Sequence, residues 1–389
     1  MQSTDGQAVE STSSKPHSGF MGDKVVHIIE PTLISDAGHC GSVVQSLCAA
    51  GQGLRFCVWV GRGARLGWTQ NPDVEIKPYF SRRLRRIQAA WLYWRLLRSG
   101  ARLVITTAGR TDLVLLNLVG PKPIPPGRVF LYIHQLRLDP QKEAAMRRIA
   151  IQQPNLIMMC TTDEFEKAVR HCGFHNTMVI LPLPIQSTYG NVTEPSPRFR
   201  HVLVAGAARS DKGFSIAVDF IRYLAATGAT VPVAMQTSGD HYGRYDEATQ
   251  AALAQLEKMR YSQLTILPDT LTRPDYVNLF RGAICLQPYD RTEYANKLSG
   301  ITLDALTAGA PVVTLSRTWM AKMVEQFDAG ITLEEPTSEA LYRAIQVVCD
   351  KYEHYSGNSA KAGRLLKKQD QWASLIDMLK GQVGQRYDR

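Results

Sequence analysis

Two short segments carry residue types suited to holding an anion. In His201–Phe214 (HVLVAGAARSDKGF) an apolar run ends in Gly206, a short loop presents Arg209 and Lys212, and Gly213 stands where a helix begins. Two cations and the free amides of a helix start then converge on one anion through charge-assisted hydrogen bonds. The same pattern also describes an ordinary loop with two solvated charges. The second segment, Ile284–Leu315, reads as strand, loop, helix and strand, with Ser299 and Gly300 at the helix start and Gly309 at its end. Ser299 is an N-cap that would leave the amides of Gly300 and Ile301 facing a phosphate. Asp304 falls just past the first turn, within reach of a ribose hydroxyl; its alternative role is a favourable charge near a helix N-terminus.

Such loops need a scaffold that brings them together. Short apolar runs alternate with helical patterns in two stretches, the signature of parallel βαβ units. The first predicts strands at Val25–Ile29, Phe56–Val60, Leu103–Thr106, Val129–Ile133, Leu156–Cys160 and Met178–Leu181, with helices such as His39–Ala50 and Thr162–His171 between them. The second predicts strands at His201–Ala205, Val231–Met235, Leu264–Leu267, Ile284–Leu286 and Pro311–Leu315, and helices beginning near Gly213, Arg273, Gly300 and Trp319. Between them, four prolines in Pro182–Pro197 cannot sit inside regular elements and mark a boundary. The expected fold is α/β, two Rossmann-like doubly wound domains facing across a cleft, where ligands of such folds bind. The divisions are a disordered tail at 1–23, an N-terminal domain at 24–185, a Pro-rich linker at 186–198, a C-terminal domain at 199–358, and a basic helix at 359–389 free to pack back on the N-terminal domain.

Composition narrows the classes. The 389 residues, 44% hydrophobic and 21% charged, suit a globular protein of two domains and exclude a disordered one. The seven cysteines are scattered, with no Cys-x-x-Cys and no His/Cys cluster, so they read as reduced core residues and not as a zinc or redox site. Met1–Phe20 lacks the apolar core of a signal peptide, and no run approaches the roughly 20 residues of a membrane span, so a cytoplasmic protein is expected. There is no Gly-x-Gly-x-x-Gly and no P-loop, which argues against a dinucleotide enzyme or a P-loop NTPase. The formal net charge of +10 points to anionic partners: nucleotides, anionic lipid or nucleic acid. Ser81–Gly100 concentrates it, with six arginines, including Arg82, Arg83, Arg85 and Arg86, and no acid. Leu84, Ile87, Trp91 and Trp94 share one face of a helix there, a basic aromatic face suited to an anionic membrane surface. The alternative is a core helix whose solvated face is basic.

In this order and spacing, the two anion-binding segments resemble the retaining glycosyltransferases of the GT-B fold, in particular glycosyltransferase family 4. Arg209 and Lys212 match that family's Gly…Arg…Lys-Gly loop, and Asp304, Ala305, Gly309, Pro311, Val312 and Val313 match its later acid and the strand that follows. Asn296 stands eight residues before Asp304, where the family usually has a glutamate that contacts the donor sugar. The resemblance implies a C-terminal domain that binds a nucleotide-sugar donor through Gly206, Asn296, Ser299, Gly300, Ile301 and Asp304, and an N-terminal domain that binds the acceptor. It further implies a donor-side glycine loop after the first strand at Gly38, and a histidine near the donor sugar, which His134 matches.

Taken together, these readings predict transfer of a sugar from a nucleotide sugar to a glycan or lipid-linked acceptor with retention. Arg209, Lys212 and helix amides would stabilise the leaving diphosphate with no metal and no further cofactor. The resemblance places such chemistry in surface polysaccharide or glycolipid biosynthesis, on a cytoplasmic protein that touches the inner face of the membrane through the basic helix. Three other readings remain open: a nucleotide-sugar epimerase or phosphorylase on the same fold, a degenerate nucleotide-sugar-binding scaffold, and a nucleic-acid-binding module. The last rests on charge alone, and no nucleic-acid partner is expected.

Overall fold

The computed structural model describes residues 25–35, 39–68, 71–134, 139–180, 198–239, 243–269, 271–368 and 372–381. The expected tail, Gly38 and all of the expected linker except Arg198 lie outside the described residues.

In the first half, β1 (Val25–Glu30), α1 (His39–Ala50), β2 (Arg55–Gly61), β3 (Val74–Phe80), α2 (Arg85–Arg98), β4 (Arg102–Ile105) and α3 (Arg110–Val119) lead to β5 (Val129–Ile133), α4 (Pro140–Gln152), β6 (Ile157–Cys160), α5 (Asp163–His171) and β7 (Thr177–Val179). The strands form one parallel sheet in the order β3-β2-β1-β4-β5-β6-β7. β1 is buried along its whole length, with Val25 and Ile29 in one layer and Val26 and Ile28 in the other. Helices cover both faces, which is why such a strand reads as a mostly apolar run.

The second half repeats the plan with β8 (His201–Val204), α6 (Phe214–Thr227), β9 (Val233–Gln236), α7 (Glu247–Glu257), β10 (Leu264–Leu267), α8 (Arg273–Leu279), β11 (Ala283–Gln287), α9 (Arg291–Tyr294), α10 (Gly300–Ala308), β12 (Val312–Leu315), α11 (Trp319–Phe327), β13 (Gly330–Leu333) and α12 (Ser338–Asp350). Its parallel sheet runs β10-β9-β8-β11-β12-β13. Winding reverses between β1 and β4 in the first sheet and between β8 and β11 in the second. Ligands of doubly wound sheets bind in the crevice at the carboxyl ends of such strands.

The C-terminal segment is two helices rather than one. α13 (Tyr352–Lys368) packs on the second half, with Ala362 and Leu366 in a cluster that contains Leu303 and Leu306 of α10. α14 (Ala373–Lys380) contributes Leu375, Ile376 and Leu379 to the core of the first half. The Trp372 indole donates to Ser46 Oγ at 2.8 Å, and the Arg102 guanidinium donates to the Leu379 carbonyl. The chain that leaves one half thus ends by docking on the other.

Candidate functional site

After β8 the chain passes Gly206 and enters a 3-10 turn, Ser210–Lys212, before α6. Gly206 and Gly213 have φ of +88° and +67°. A Cβ on Gly213 would stand 2.0 Å from the Pro288 carbonyl oxygen, and one on Gly206 would stand 2.4 Å from Ile301 Cδ1 and 2.8 Å from Lys212 Nζ. Only glycine combines that backbone conformation with so close an approach. The loop after β8 therefore lies against the first turn of α10 and the segment after β11, so the two segments expected to bind an anion meet at the switch point between β8 and β11.

The charges in that site are unevenly matched. Arg209 Nε donates to Asp211 Oδ1 at 2.8 Å and its Nη2 to the other carboxylate oxygen. Lys297 Nζ lies 3.5 Å from Asp211 Oδ2, and the Tyr294 hydroxyl donates to the same oxygen at 3.5 Å. Burial lowers Lys212 to a pKa of about 8; the charges of Arg209 and Lys297 push the same way and Asp211 opposes them. Asp211 thus pairs with Arg209 and Lys297, and its charge acts on Lys212 as well. Among the described residues the loop's other acid contact is Asp246, which accepts from the Ser210 amide at 3.2 Å, and three cations against these two carboxylates leave net positive charge in a partly dry loop. Sequence reading missed two members of this cluster. Asp211 stands between the two expected cations, and Lys297 is the residue next to the expected Asn296.

α10 is built as expected. Ser299 accepts from the Thr302 amide at 3.3 Å, and the Thr302 hydroxyl donates to Gln287 Oε1 at 2.7 Å, which ties the helix start to the end of β11. Nothing stands within 4 Å of a Cβ placed on Gly300, so the space beside that residue, where α10 begins, is open. The free amides there attract anions. Asp304 accepts from the Tyr276 hydroxyl of α8 at 2.9 Å, a partner the sequence did not suggest. Asn296 is exposed on the segment between α9 and α10.

His134 lies in the other half, directly after β5. Its Nε2 is 2.8 Å from the Thr106 carbonyl oxygen, which can only accept, so the proton is on Nε2. The ring packs edge-on against Tyr132 with centroids 4.5 Å apart, and burial lowers its pKa, which keeps the imidazole neutral. Thr106 also donates its hydroxyl to Glu30 Oε2 at 2.8 Å. Glu30 is fully buried and accepts further bonds from the hydroxyls of Thr32 and Thr107. Burial raises its pKa and these bonds oppose the rise. The signal for this residue was an acid closing the otherwise apolar strand VVHIIE.

α2 turns Ala89, Leu92, Tyr93 and Leu96 into the core and leaves Leu84, Ile87, Trp91 and Trp94 exposed. The guanidinium groups of Arg95 and Arg98 lie over the rings of Trp91 and Trp94 at 5.3 and 4.5 Å. Arg82, Arg83, Arg85 and Arg86 are exposed, but Arg85 and Arg86 also line a cavity of the first half. Among the described residues, no helix is long and apolar enough to cross a membrane, and no group of three or more His, Cys, Asp or Glu is placed to hold a metal ion.

No protein-family model and no curated protein matches the sequence. Solved structures do match over 92% of the chain: the glycosyltransferase WaaG, involved in lipopolysaccharide biosynthesis, at 14% identity, a TM-score of 0.62 and 100% coverage of that protein. Anabaena HepE in complex with UDP and glucose aligns with the same share of the chain at 11% identity, a TM-score of 0.67 and 99% coverage. The chain has the GT-B fold. Sucrose-phosphate synthase from Thermosynechococcus elongatus shares this architecture, at 13% identity and a TM-score of 0.62, with 92% of this chain and 98% of that one aligned. In the GT-B frame the cluster after β8 belongs to the C-terminal domain, and His134 and Glu30 to the N-terminal one.

Proposed function

We propose that this GT-B protein is a glycosyltransferase that takes its sugar from a nucleotide-sugar donor. The observation that carries this reading is the cluster of Arg209, Lys212 and Lys297 around the carboxylate of Asp211, beside the open space at Gly300 where α10 begins. A diphosphate supplies the negative charge this site lacks. In the reaction, the bond between the sugar's anomeric carbon and the donor diphosphate breaks, a bond from that carbon to an acceptor hydroxyl forms, and the hydroxyl proton passes to the departing diphosphate. Charge on that leaving group is stabilised by Lys212, Arg209 and the amides of Gly300 and Ile301, which act as fixed electrostatic partners in place of a metal. Asp304 takes the ribose and Asn296 a sugar hydroxyl, while neutral His134 offers hydrogen bonding on the N-terminal side.

The transfer proceeds with retention of anomeric configuration, onto a glycan or lipid-linked acceptor of surface polysaccharide or glycolipid biosynthesis. HepE has been solved with UDP-glucose, which makes a uridine nucleotide the first donor to try. The exposed face of Leu84, Ile87, Trp91 and Trp94 supports a peripheral position at the inner face of the membrane, since indole rings and arginines together favour an anionic interface. A thermal-shift screen against nucleoside diphosphates and nucleotide sugars tests the donor reading. A ligand at 100 times its Kd adds about 2.7 kcal/mol of stability. Stabilisation by one nucleotide and its sugar conjugate is the expected result, and indifference to every member of the panel rejects the reading. The second reading, a binding scaffold, is favoured by Asn296 in place of an acid; donor binding without turnover across an acceptor panel selects it.

A further inference from the structure

The first sheet reverses its winding between β1 and β4, and a cavity of about 360 Å³ opens near the carboxyl ends of those strands. Its lining includes Thr32 after β1, Thr107 after β4, Arg85 and Arg86 at the start of α2, and Arg110 at the start of α3. By local rules arginine is poorly placed at these positions. A helix N-terminus carries the positive end of the dipole, so a cation in the first turn costs about 0.3–1 kcal/mol. α2 has no acid in its first turn and no side-chain cap. α3 has one first-turn acid, Asp112, but that carboxylate accepts from the Gly109 amide at 2.9 Å and from the Tyr93 hydroxyl at 2.7 Å.

Asp112 also lines the cavity, and the Arg85 charge acts on its carboxyl, so Arg85 is matched in part and Arg86 and Arg110 are not. Glu30, at the end of β1, accepts from the hydroxyls of Thr32, Thr106 and Thr107 rather than from a guanidinium. No ion pair or hydrogen bond joins Arg86 or Arg110 to another described residue. Two helix starts and three guanidinium groups surround one cavity, and departures from local preference of this kind mark functional sites.

We propose that this cavity binds a phosphate group, as a phosphate ester carried by the acceptor. Arginine forks match phosphate oxygens in pairs, and the amides at the start of α3 add donors. The site stands at the switch point of the acceptor-side sheet, as the diphosphate cluster stands at the switch point of the other. The assignment to an acceptor rests on the transferase reading; the binding of phosphate does not.

The test is a calorimetric titration of glycerol 3-phosphate into the full chain, as parent, Arg86→Gln/Arg110→Gln and Lys212→Ala. The expected result is a loss of tenfold or more in affinity for the double variant, near-parent affinity for Lys212→Ala, and no competition from glycerol. Vesicles containing phosphatidic acid present the same monoester on a lipid. Sedimentation with them that depends on Arg86 and Arg110, without binding of the free ester, assigns the phosphate to a lipid head group; binding of the free ester assigns it to a soluble acceptor. Both arginines are exposed, so the double variant should keep its fold, checked by circular dichroism. If the parent binds neither form, or the double variant binds both as the parent does, the proposal is overturned. Loss confined to Lys212→Ala sends the phosphate to the cluster after β8 and also overturns it, leaving the donor reading intact. Pyrophosphate binding unchanged in Lys212→Ala does the reverse.

Discussion

Lys212 keeps its charge in the folded protein at a cost, and replacing it should separate stability from binding. Its pKa falls from 10.5 to about 8, so between those values the unfolded chain holds a proton that the folded one has released. By linkage, stability rises with pH across that window, and below about pH 8 the folded protein carries the full penalty. At about 1.4 kcal/mol per pKa unit the penalty is about 3 kcal/mol. Lys212 Nζ lies over the Tyr289 ring, 6.0 Å from its centre, and Lys212→Met keeps an unbranched stem there while removing the charge. The variant should gain up to about 3 kcal/mol at pH 7, roughly 5–10 °C in Tm, with the gain fading as pH rises towards 10.5. Pyrophosphate affinity should fall about 10-fold to 100-fold, the worth of a lost charge-assisted hydrogen bond. Thermal denaturation at several pH values, paired with calorimetric titration, reads both quantities. A Tm that drops at pH 7, or a gain that does not depend on pH, refutes the picture of a partly buried cation held at a cost.

Gly213→Ala should destabilise the protein by about 1–3 kcal/mol, because the new Cβ meets the Pro288 carbonyl in a left-handed backbone; an unchanged denaturation midpoint contradicts the close contact. Asp304→Asn should weaken nucleotide binding while pyrophosphate binding stays near the parent value, and equal losses would make Asp304 structural. Trp91→Ala/Trp94→Ala, and separately Arg82→Gln/Arg83→Gln, should each reduce sedimentation with anionic liposomes while activity on a soluble acceptor survives. Sedimentation equal to the parent for both variants removes α2 from the membrane surface.

The central strands were legible because a strand buried on both faces is a mostly apolar run, as in VVHIIE and HVLV. Edge strands obey weaker constraints. β3 (VEIKPYF) mixes charges and a proline into a half-buried edge, where Pro78 breaks no central ladder, and β13 (GITL) is partly exposed throughout; neither stood out from its neighbours. The C-terminal segment read as one helix because its composition is uniformly helical, whereas Trp372 turns the chain back across Ser46 through a contact 326 residues distant in sequence.

The site was legible in its glycines and cations for a related reason. Gly206, Gly213, Arg209, Lys212, Ser299 and Gly300 belong to short local motifs whose geometry follows from sequence spacing. Asp211 bonds Arg209 two residues away in the same loop and was missed as a local partner, whereas Lys297 and Tyr276 enter through contacts between separate loops and helices, which no spacing rule encodes. Glu30 is similar: its burial depends on hydroxyls that β4 brings alongside β1. Arg85 and Arg86 show the same limit of local reading. They were read with Arg82 and Arg83 as arginines around an aromatic face; all four are exposed, and the fold also brings Arg85 and Arg86 to the carboxyl end of the first sheet beside Arg110.

The claim that cations and helix amides stabilise a departing nucleoside diphosphate is tested most directly by one reaction followed by NMR. The anomeric configuration and the rate of product formation are read with the identified donor and acceptor, in parallel with and without excess EDTA. The proposed chemistry predicts a product that keeps the donor's configuration, formed at the same rate in both samples. Loss of turnover in EDTA would show that a metal does the work assigned to Arg209 and Lys212, and an inverted anomeric centre would contradict the retaining mechanism itself.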